Sequence, residues 1–403
     1  MSSLAGLSVQ QQRLHGLDAM RLLLMLLGIP YHAALIYNVD PGWIIHSAST
    51  SSLLTNVSIV LHSFRLGAFF ILAGFFASIV EVRQGSSVWL KAKMIQLGVP
   101  LLVCAVLLTP PQIFIAALAN QDQPMQHLHD ALDAVLVVAS HPSKLWVLHL
   151  WFLIDLLLIC AAFGLCGRVV ASRPVARWLD SVERVAVQHP AAMLAALLAV
   201  FLAMTLGIQL FHMALHVHEV TLLSGLIQVQ STLYYGAFFL LGVALQRRRG
   251  LLNWFQSFGI TNLVIAVVAP VLCVAASRSP SHLAQTSLMF LQSISAICVA
   301  RVLFWAAMRF MQQPNRHIKR GADAAFTVYL IHHPIVAALG FLCLWMQVPP
   351  LLAWCGIVVL ATILSLGFHD LVVTRSRVLG FLLNGRPIAR SLAAPVGRIV
   401  VAE

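Results

Sequence analysis

Long apolar runs dominate the chain, separated by short polar stretches, and most exceed the roughly 20 residues that a helix needs to cross about 30 Å of hydrocarbon. Ten spans are predicted, over 14–38, 53–81, 89–118, 144–167, 191–213, 226–246, 258–276, 286–310, 322–346 and 350–373. What is left is too short for a soluble domain: a linker near 168–190, a segment near 119–143 and a tail. Within 119–143, Leu128, Leu132, Val135, Leu136 and Ala139 recur at helical spacing with Asp130 and Asp133 opposite. That pattern predicts a short helix lying on a membrane surface. The expected fold is an all-α polytopic membrane protein, with a transmembrane domain over 1–374 and a C-terminal tail over 375–403. No internal repeat of the transporter kind is visible.

Composition agrees with the pattern: 60% of residues are hydrophobic, 9% are charged and the mean hydropathy is +0.90. The net charge of +12 would suggest nucleic acid in a soluble chain, but here the basic residues cluster in alternate loops. Arg83, Lys91 and Lys93 follow the second span, Arg168 to Arg184 the fourth, Arg247 to Arg249 the sixth, Arg316 to Arg320 the eighth and Arg375 onward the tenth. The other loops hold only Arg278. The positive-inside rule therefore predicts an even number of spans and two cytoplasmic termini, and no nucleic-acid partner is expected. Cys104, Cys160, Cys273, Cys298 and Cys343 lie in apolar runs without ligand spacing, so neither a disulfide framework nor a zinc site is indicated. The first span carries Asp18 and Arg21 and ends at Asn38-Val39-Asp40-Pro41, and is expected to be retained as a helix.

Polar groups at membrane depth are the chemical signal, because the bilayer penalises them unless they pair or serve a function. Arg21 and His32 are eleven residues apart, which returns both to nearly one face of a helix, about 16 Å apart along it. Asp18 is three residues from Arg21, close enough for an ion pair that sets helix orientation by snorkelling. In the second span, His62-Ser63-Phe64-Arg65 puts Arg65 too deep to snorkel, where it needs a carboxylate, a carbonyl cluster or an anionic ligand. Gly67, Ala68, Ala73 and Gly74 suit close helix packing. The fourth span opens with Trp146, His149, Trp151 and Phe152; tryptophans there are ordinary interfacial anchors whose rings also stack on sugars. The ninth contains Tyr329-Leu330-Ile331-His332-His333-Pro334, whose proline frees a carbonyl at depth. Arg301 in the eighth either meets an anion or snorkels toward Arg309.

Several of these blocks, in order, resemble the acyltransferase 3 family of membrane acyltransferases: Leu17-Asp18-x-x-Arg21 through His32, Ser63-Phe64-Arg65 through Phe69-Phe70 and Gly74, Gly98-Val99-Pro100, His149-Leu150-Trp151-Phe152-Leu153, and Tyr329 through Pro334. The stretches Leu24–His32, His62–Arg65 and Asn384-Gly385-Arg386-Pro387 look most like members that move succinyl groups onto periplasmic glucans. The resemblance implies a bacterial inner-membrane enzyme with cytoplasmic succinyl-CoA as donor, a periplasmic β-glucan as acceptor, no bound cofactor, and other glucan-synthesis proteins as partners. The family's first-helix arginine and histidine fall on Arg21 and His32, and its second-helix arginine on Arg65. Many relatives also carry an extracytoplasmic hydrolase-like domain; none is expected here, so the acceptor is expected to meet the membrane core directly. A later-helix carboxylate used by some relatives has Asp155 and Asp323 as possible counterparts.

Acyl transfer from a thioester to a hydroxyl needs a group that takes the hydroxyl proton or carries the acyl group, and donors for the developing oxyanion. His32 is expected in the first role, with Arg21 steering the donor's anionic end and Arg65 gripping negative charge. Asp18, His62, His149, Trp151, Tyr329, His332, His333 and Arg301 are expected to contribute to substrate binding. Lys91 and Lys93, or Arg316, Lys319 and Arg320, suit coenzyme A phosphates, although membrane orientation alone accounts for them. Two rivals stand beside this expectation: an acetyltransferase acting on lipopolysaccharide or another envelope glycan, and a transporter or flippase for an anionic or acylated solute.

Overall fold

A computed structural model describes residues 15–121, 126–141, 143–215 and 220–386; the tail from Pro387, including Arg390 and Arg398, lies outside the described residues. The helices in chain order are α1 (His15–Leu35), α2 (Ser52–Gln84), α3 (Ser86–Ala119), α4 (Leu128–Ser140), α5 (Trp151–Leu165), α6 (Arg173–Gln188) and α7 (Pro190–Leu215). Then follow α8 (Val229–Arg247), α9 (Arg249–Phe255), α10 (Ile260–Arg278), α11 (His282–Phe310), α12 (Arg316–Trp345), α13 (Pro350–Phe368) and α14 (Arg377–Asn384). A two-residue ribbon, β1 (Thr221–Leu222) with β2 (Ile227–Gln228), runs antiparallel before α8. The chain is thus an all-α polytopic membrane protein.

Nine of the described helices are long and apolar enough to cross a membrane. The remaining stretch expected from the sequence, the sixth at 226–246, begins as the β2 turn and becomes α8, which is 19 residues long but less apolar. Its polar residues are used inside the bundle: Thr232 and Ser231 donate to Asp155 of α5, and Tyr234 donates to the Met289 carbonyl of α11 at 3.2 Å. The expected surface helix forms as α4, leaving Leu132 and Leu136 exposed on an apolar stripe. The 168–190 linker is mostly helical, since α6 is braced by Arg248 against Asp180 at 2.8 Å and by Gly250 N–H donating to Glu183 at 2.5 Å. Beyond the last span, α14 is not free but lies against α3.

Bundle order follows from where the chain permits close approach. α2 is the most enclosed span and packs on α8 and α11, while the outward faces of α3, α7, α10 and α13 leave residues such as Leu102, Leu210, Val267 and Ile363 exposed, as lipid-facing surface requires. α2 ends and α3 begins at Gly85, whose φ of +81° reverses the chain where a side chain would strain it. α1 is interrupted at Leu27, because Pro30 has no N–H for the Leu26 carbonyl. α1 and α12 run side by side in the same direction, with Gly321 against Leu22 and Gly340 against Ile36.

The α2–α8 crossing is a backbone contact. A Cβ on Gly74 would lie 1.9 Å from the Phe239 carbonyl oxygen, and one on Gly242 would lie 1.9 Å from that of Ile71. Gly74→Ala or Gly242→Ala should therefore force the helices apart, at a cost of about 2 kcal/mol or more. Gly207→Ala, where nothing lies within 4 Å, should leave stability unchanged or raise it. Thermal unfolding of the three purified variants in detergent checks the contrast.

Candidate active site

The interruption of α1 sets the site. Past Leu27, the turn Gly28–Leu35 brings Tyr31 and His32 toward α2 and α12, where a cavity of ≈ 520 Å³ opens. Eight of the eleven residues singled out from the sequence line it: His32, His62, Arg65, His149, Trp151, Tyr329, His332 and His333. Trp43, Tyr31 and Gln228 also line it.

Hydrogen-bond partners fix the state of three imidazoles. An indole N–H only donates, so Trp43 Nε1, 2.9 Å from His333 Nε2, requires a lone pair there. The His333 proton is then on Nδ1 and is donated to Gln112 Oε1 at 2.5 Å; the Gln112 amide is held by its own donation to the Leu108 carbonyl at 2.6 Å. Both ring nitrogens of His333 are committed. His332 donates from Nδ1 to the Val328 and Tyr329 carbonyls at 2.9 and 2.7 Å, which leaves Nε2 as a lone pair without a hydrogen-bond partner among the described residues. His149 donates from Nε2 to the Leu330 carbonyl at 3.1 Å. That carbonyl is the one Pro334 cannot engage, so the proline of α12 makes the acceptor that orients the histidine of the fourth span. Leu148, with φ of +41°, turns the chain just before it. The His149 and His333 rings stack with centroids 4.3 Å apart.

His32 differs from all three. Its ring lies 4.7 Å from that of His333 and 5.3 Å from that of His332, and among the described residues neither of its nitrogens has a hydrogen-bond partner. Arg65 is buried, stacks over the Tyr31 ring at 4.7 Å, and has no carboxylate or carbonyl partner among the described residues. His62 backs the same ring at 5.7 Å. A Cβ on Gly28 would lie 2.7 Å from Arg65 Nη1 and 3.2 Å from His332 Nε2. The bare backbone of Gly28 therefore lets a cation and an unclaimed lone pair face the same small space.

Three expected residues lie elsewhere. Asp18 and Arg21 form their ion pair at 3.2 Å, half-exposed, and Arg21 also donates to the Ala322 carbonyl of α12 at 3.1 Å; Leu24 and Met25, one turn on, are the first of α1 to reach the cavity. Arg301 is packed over Trp254 at 4.3 Å and donates to Asn262 Oδ1 at 3.0 Å, so it binds α11 to α9 and α10 and does not line the cavity. Asp155 is saturated by the hydroxyls of Ser231 and Thr232, and Asp323 is exposed at the far end of α12. Trp43, Gln112 and Gly28 were missed. Gln112 had a signal, a polar residue in an apolar run beside Pro110 and Pro111, whereas the partner of Trp43 is 290 residues away.

The acyltransferase domain of the acyltransferase 3 family matches residues 14–370. The chain belongs to that family. This membrane acyltransferase is similar to glucans biosynthesis protein C of Salmonella typhimurium, 26% identical over 97% of this chain and 100% of the relative. It is likewise similar to those of Salmonella schwarzengrund, 26% identical over 94% and 97%, and Salmonella typhi, 26% identical over 83% and 85%. No solved structure matches the chain.

Gly28→Ala tests the convergence in the acyltransferase. The added methyl should displace Arg65 and His332 and lower acyl transfer at least tenfold with little change in thermal stability; unchanged transfer would show that the two groups need not meet.

Proposed function

We propose that this acyltransferase moves succinyl groups from succinyl-CoA to hydroxyls of periplasmic glucans in the bacterial inner membrane. The observation that carries this is Arg65: a buried guanidinium with no carboxylate partner, beside an imidazole with no hydrogen-bond partner, among the described residues, in one cavity. A cation so placed calls for an anionic ligand. A succinyl group supplies one in its terminal carboxylate, whereas an acetyl group supplies none, which favours succinyl over acetyl as the group transferred. The names of the similar Salmonella proteins point to the same glucan pathway.

In this mechanism the acceptor hydroxyl oxygen attacks the thioester carbonyl carbon while His32 takes the hydroxyl proton. The carbon–sulfur bond breaks, and the departing thiolate takes a proton, so that the products are the succinyl ester and free coenzyme A. In this reading Arg65 holds the terminal carboxylate of the succinyl group, and the lone pair at His332 Nε2, facing the same space, assists proton transfer. His333 has neither nitrogen to offer and positions the neighbouring rings. The acceptor enters by the mouth beside Trp43 and Trp151, whose rings offer faces for glucose units. Two cytoplasmic termini, as the basic loops favour, put this mouth on the periplasmic side, where other glucan-synthesis proteins would deliver the acceptor.

His32→Ala should abolish glucan succinylation while the protein remains folded in the membrane, read as loss of the succinyl mass from isolated glucans. Arg65→Gln should lower kcat/KM for succinyl-CoA about a hundredfold, the ~3 kcal/mol that losing one member of a buried charge pair costs, and lower that for acetyl-CoA much less. Equal losses for both donors would remove Arg65 from acyl selection.

A further inference from the structure

A second cavity, ≈ 280 Å³, lies at the opposite end of α12 and is built by three separate segments. Arg316, Lys319 and Arg320 come from the first turns of α12, His369 and Asp370 from the wide helical turn after α13, and Arg386 from the turn that ends α14. Arg320 is bound to Asp370 at 2.6 and 2.9 Å. None of the other three cations is paired with a carboxylate among the described residues; Arg386 reaches only the Asp323 carbonyl, at 3.5 Å. We propose that this cavity holds the phosphates of the nucleotide end of the acyl donor and is completed by the turn Asn384–Arg386. The proposal rests on the acyl-CoA reading above.

Membrane orientation explains why basic residues occur at this end, but not why they are braced into a cavity. The brace is specific. Gly385 has φ of +58°, and a Cβ there would lie 2.4 Å from Gln96 Cα, so the turn is pressed on the α3 backbone and admits only glycine. Beside it, Thr327 donates to Asn384 Oδ1 at 3.0 Å and accepts from His369 Nδ1 at 2.7 Å, which joins α12, the wide turn and α14. This fixes Arg386 opposite Arg316 and Lys319. Guanidinium forks and an ammonium around one small space match clustered phosphate oxygens.

The position suits a donor that reaches the histidines. Ala322, whose carbonyl holds Arg21, precedes Asp323 of the cavity wall, and Gly321 touches Leu22. Arg320 and His332 are twelve residues apart on one helix, about 18 Å at 1.5 Å per residue. That separation is comparable to an extended phosphopantetheine arm. Arg21 lies along this path, between the cavities, which gives it a role in guiding the donor although it does not line the histidine cavity.

The test uses the full chain in phosphatidylcholine nanodiscs. Calorimetry with 3′,5′-ADP should show binding that weakens at least tenfold in Arg316→Glu/Lys319→Glu and in Arg386→Ala, and recovers to within threefold in Arg386→Lys. The ratio of kcat/KM for succinyl-CoA over succinyl-pantetheine, which lacks the nucleotide, should fall by the same factor in the first two. Absence of 3′,5′-ADP binding to the wild type, or equal affinity in the charge variants, overturns the proposal. So does native mass spectrometry in which phosphatidylglycerol, rather than nucleotide, is retained by the wild type and lost from the variants. Wild-type protein that binds 3′,5′-ADP at this site but transfers from no thioester would overturn the succinyl-transfer reading and leave the site standing.

Discussion

The arrangement depends on backbone accounting inside an apolar bundle. A helix at membrane depth satisfies its own polar groups, and a proline breaks that closure by leaving one carbonyl four residues back without its N–H. In α12 the orphan is Leu330, and the imidazole of His149 fills the gap. One covalent fact, the ring of Pro334, thereby ties the turn that leads into α5 to α12 and fixes a tautomer. The same device recurs in α1, where Pro30 interrupts the helix at Leu27 and turns Tyr31 and His32 across α2 and α12. Two prolines thus do in two helices what loops do in a soluble enzyme: they bring irregular backbone to the place where polar side chains must converge.

Around that frame the charges are sorted by depth. Arg247 near one end pairs with Glu81 at 3.0 Å, and Arg301 spends its charge on aromatic faces and an amide. Arg65 alone among these is left facing an open cavity with only a tyrosine ring beneath it. A guanidinium in low dielectric keeps its charge at considerable cost, which the rest of the bundle must offset. The backbone-close α2–α8 crossing, made possible by Gly74 and Gly242, is the kind of packing that can hold such a helix in place.

Much of this was legible in the chain. The apolar runs located the spans, because their length is set by the bilayer, and helical spacing put Arg21 and His32 on nearly one face, which in the structure meets α12. Pro334 announced a free carbonyl. What the residues did not show was which polar groups share a cavity, since that is decided by contacts between helices hundreds of residues apart. Arg301 and Arg65 look alike in sequence, each a cation in a greasy stretch, yet one is enclosed by Trp254 and Asn262 and the other faces the cavity. Trp43, in a short polar loop, carried no periodicity to reveal that it would reach His333. The run 226–246 reads as a span in sequence, but the polar first turns of α8, satisfied by Asp155 and α11, leave it outside the nine described helices apolar enough to cross a membrane.

The locked state of His333 has a bearing on bioenergetics. An imidazole passes protons along a chain by accepting at one nitrogen while releasing from the other, and this ring already receives from an indole that has no second proton to give. Its face-to-face stacking on His149 offers no N–H between the two rings. Five histidines crowded into one membrane cavity look like a proton wire, but this one is cut at His333. A proton gathered beside His32 finds no free lone pair on that ring, so the path from His32 toward Gln112 is closed at His333.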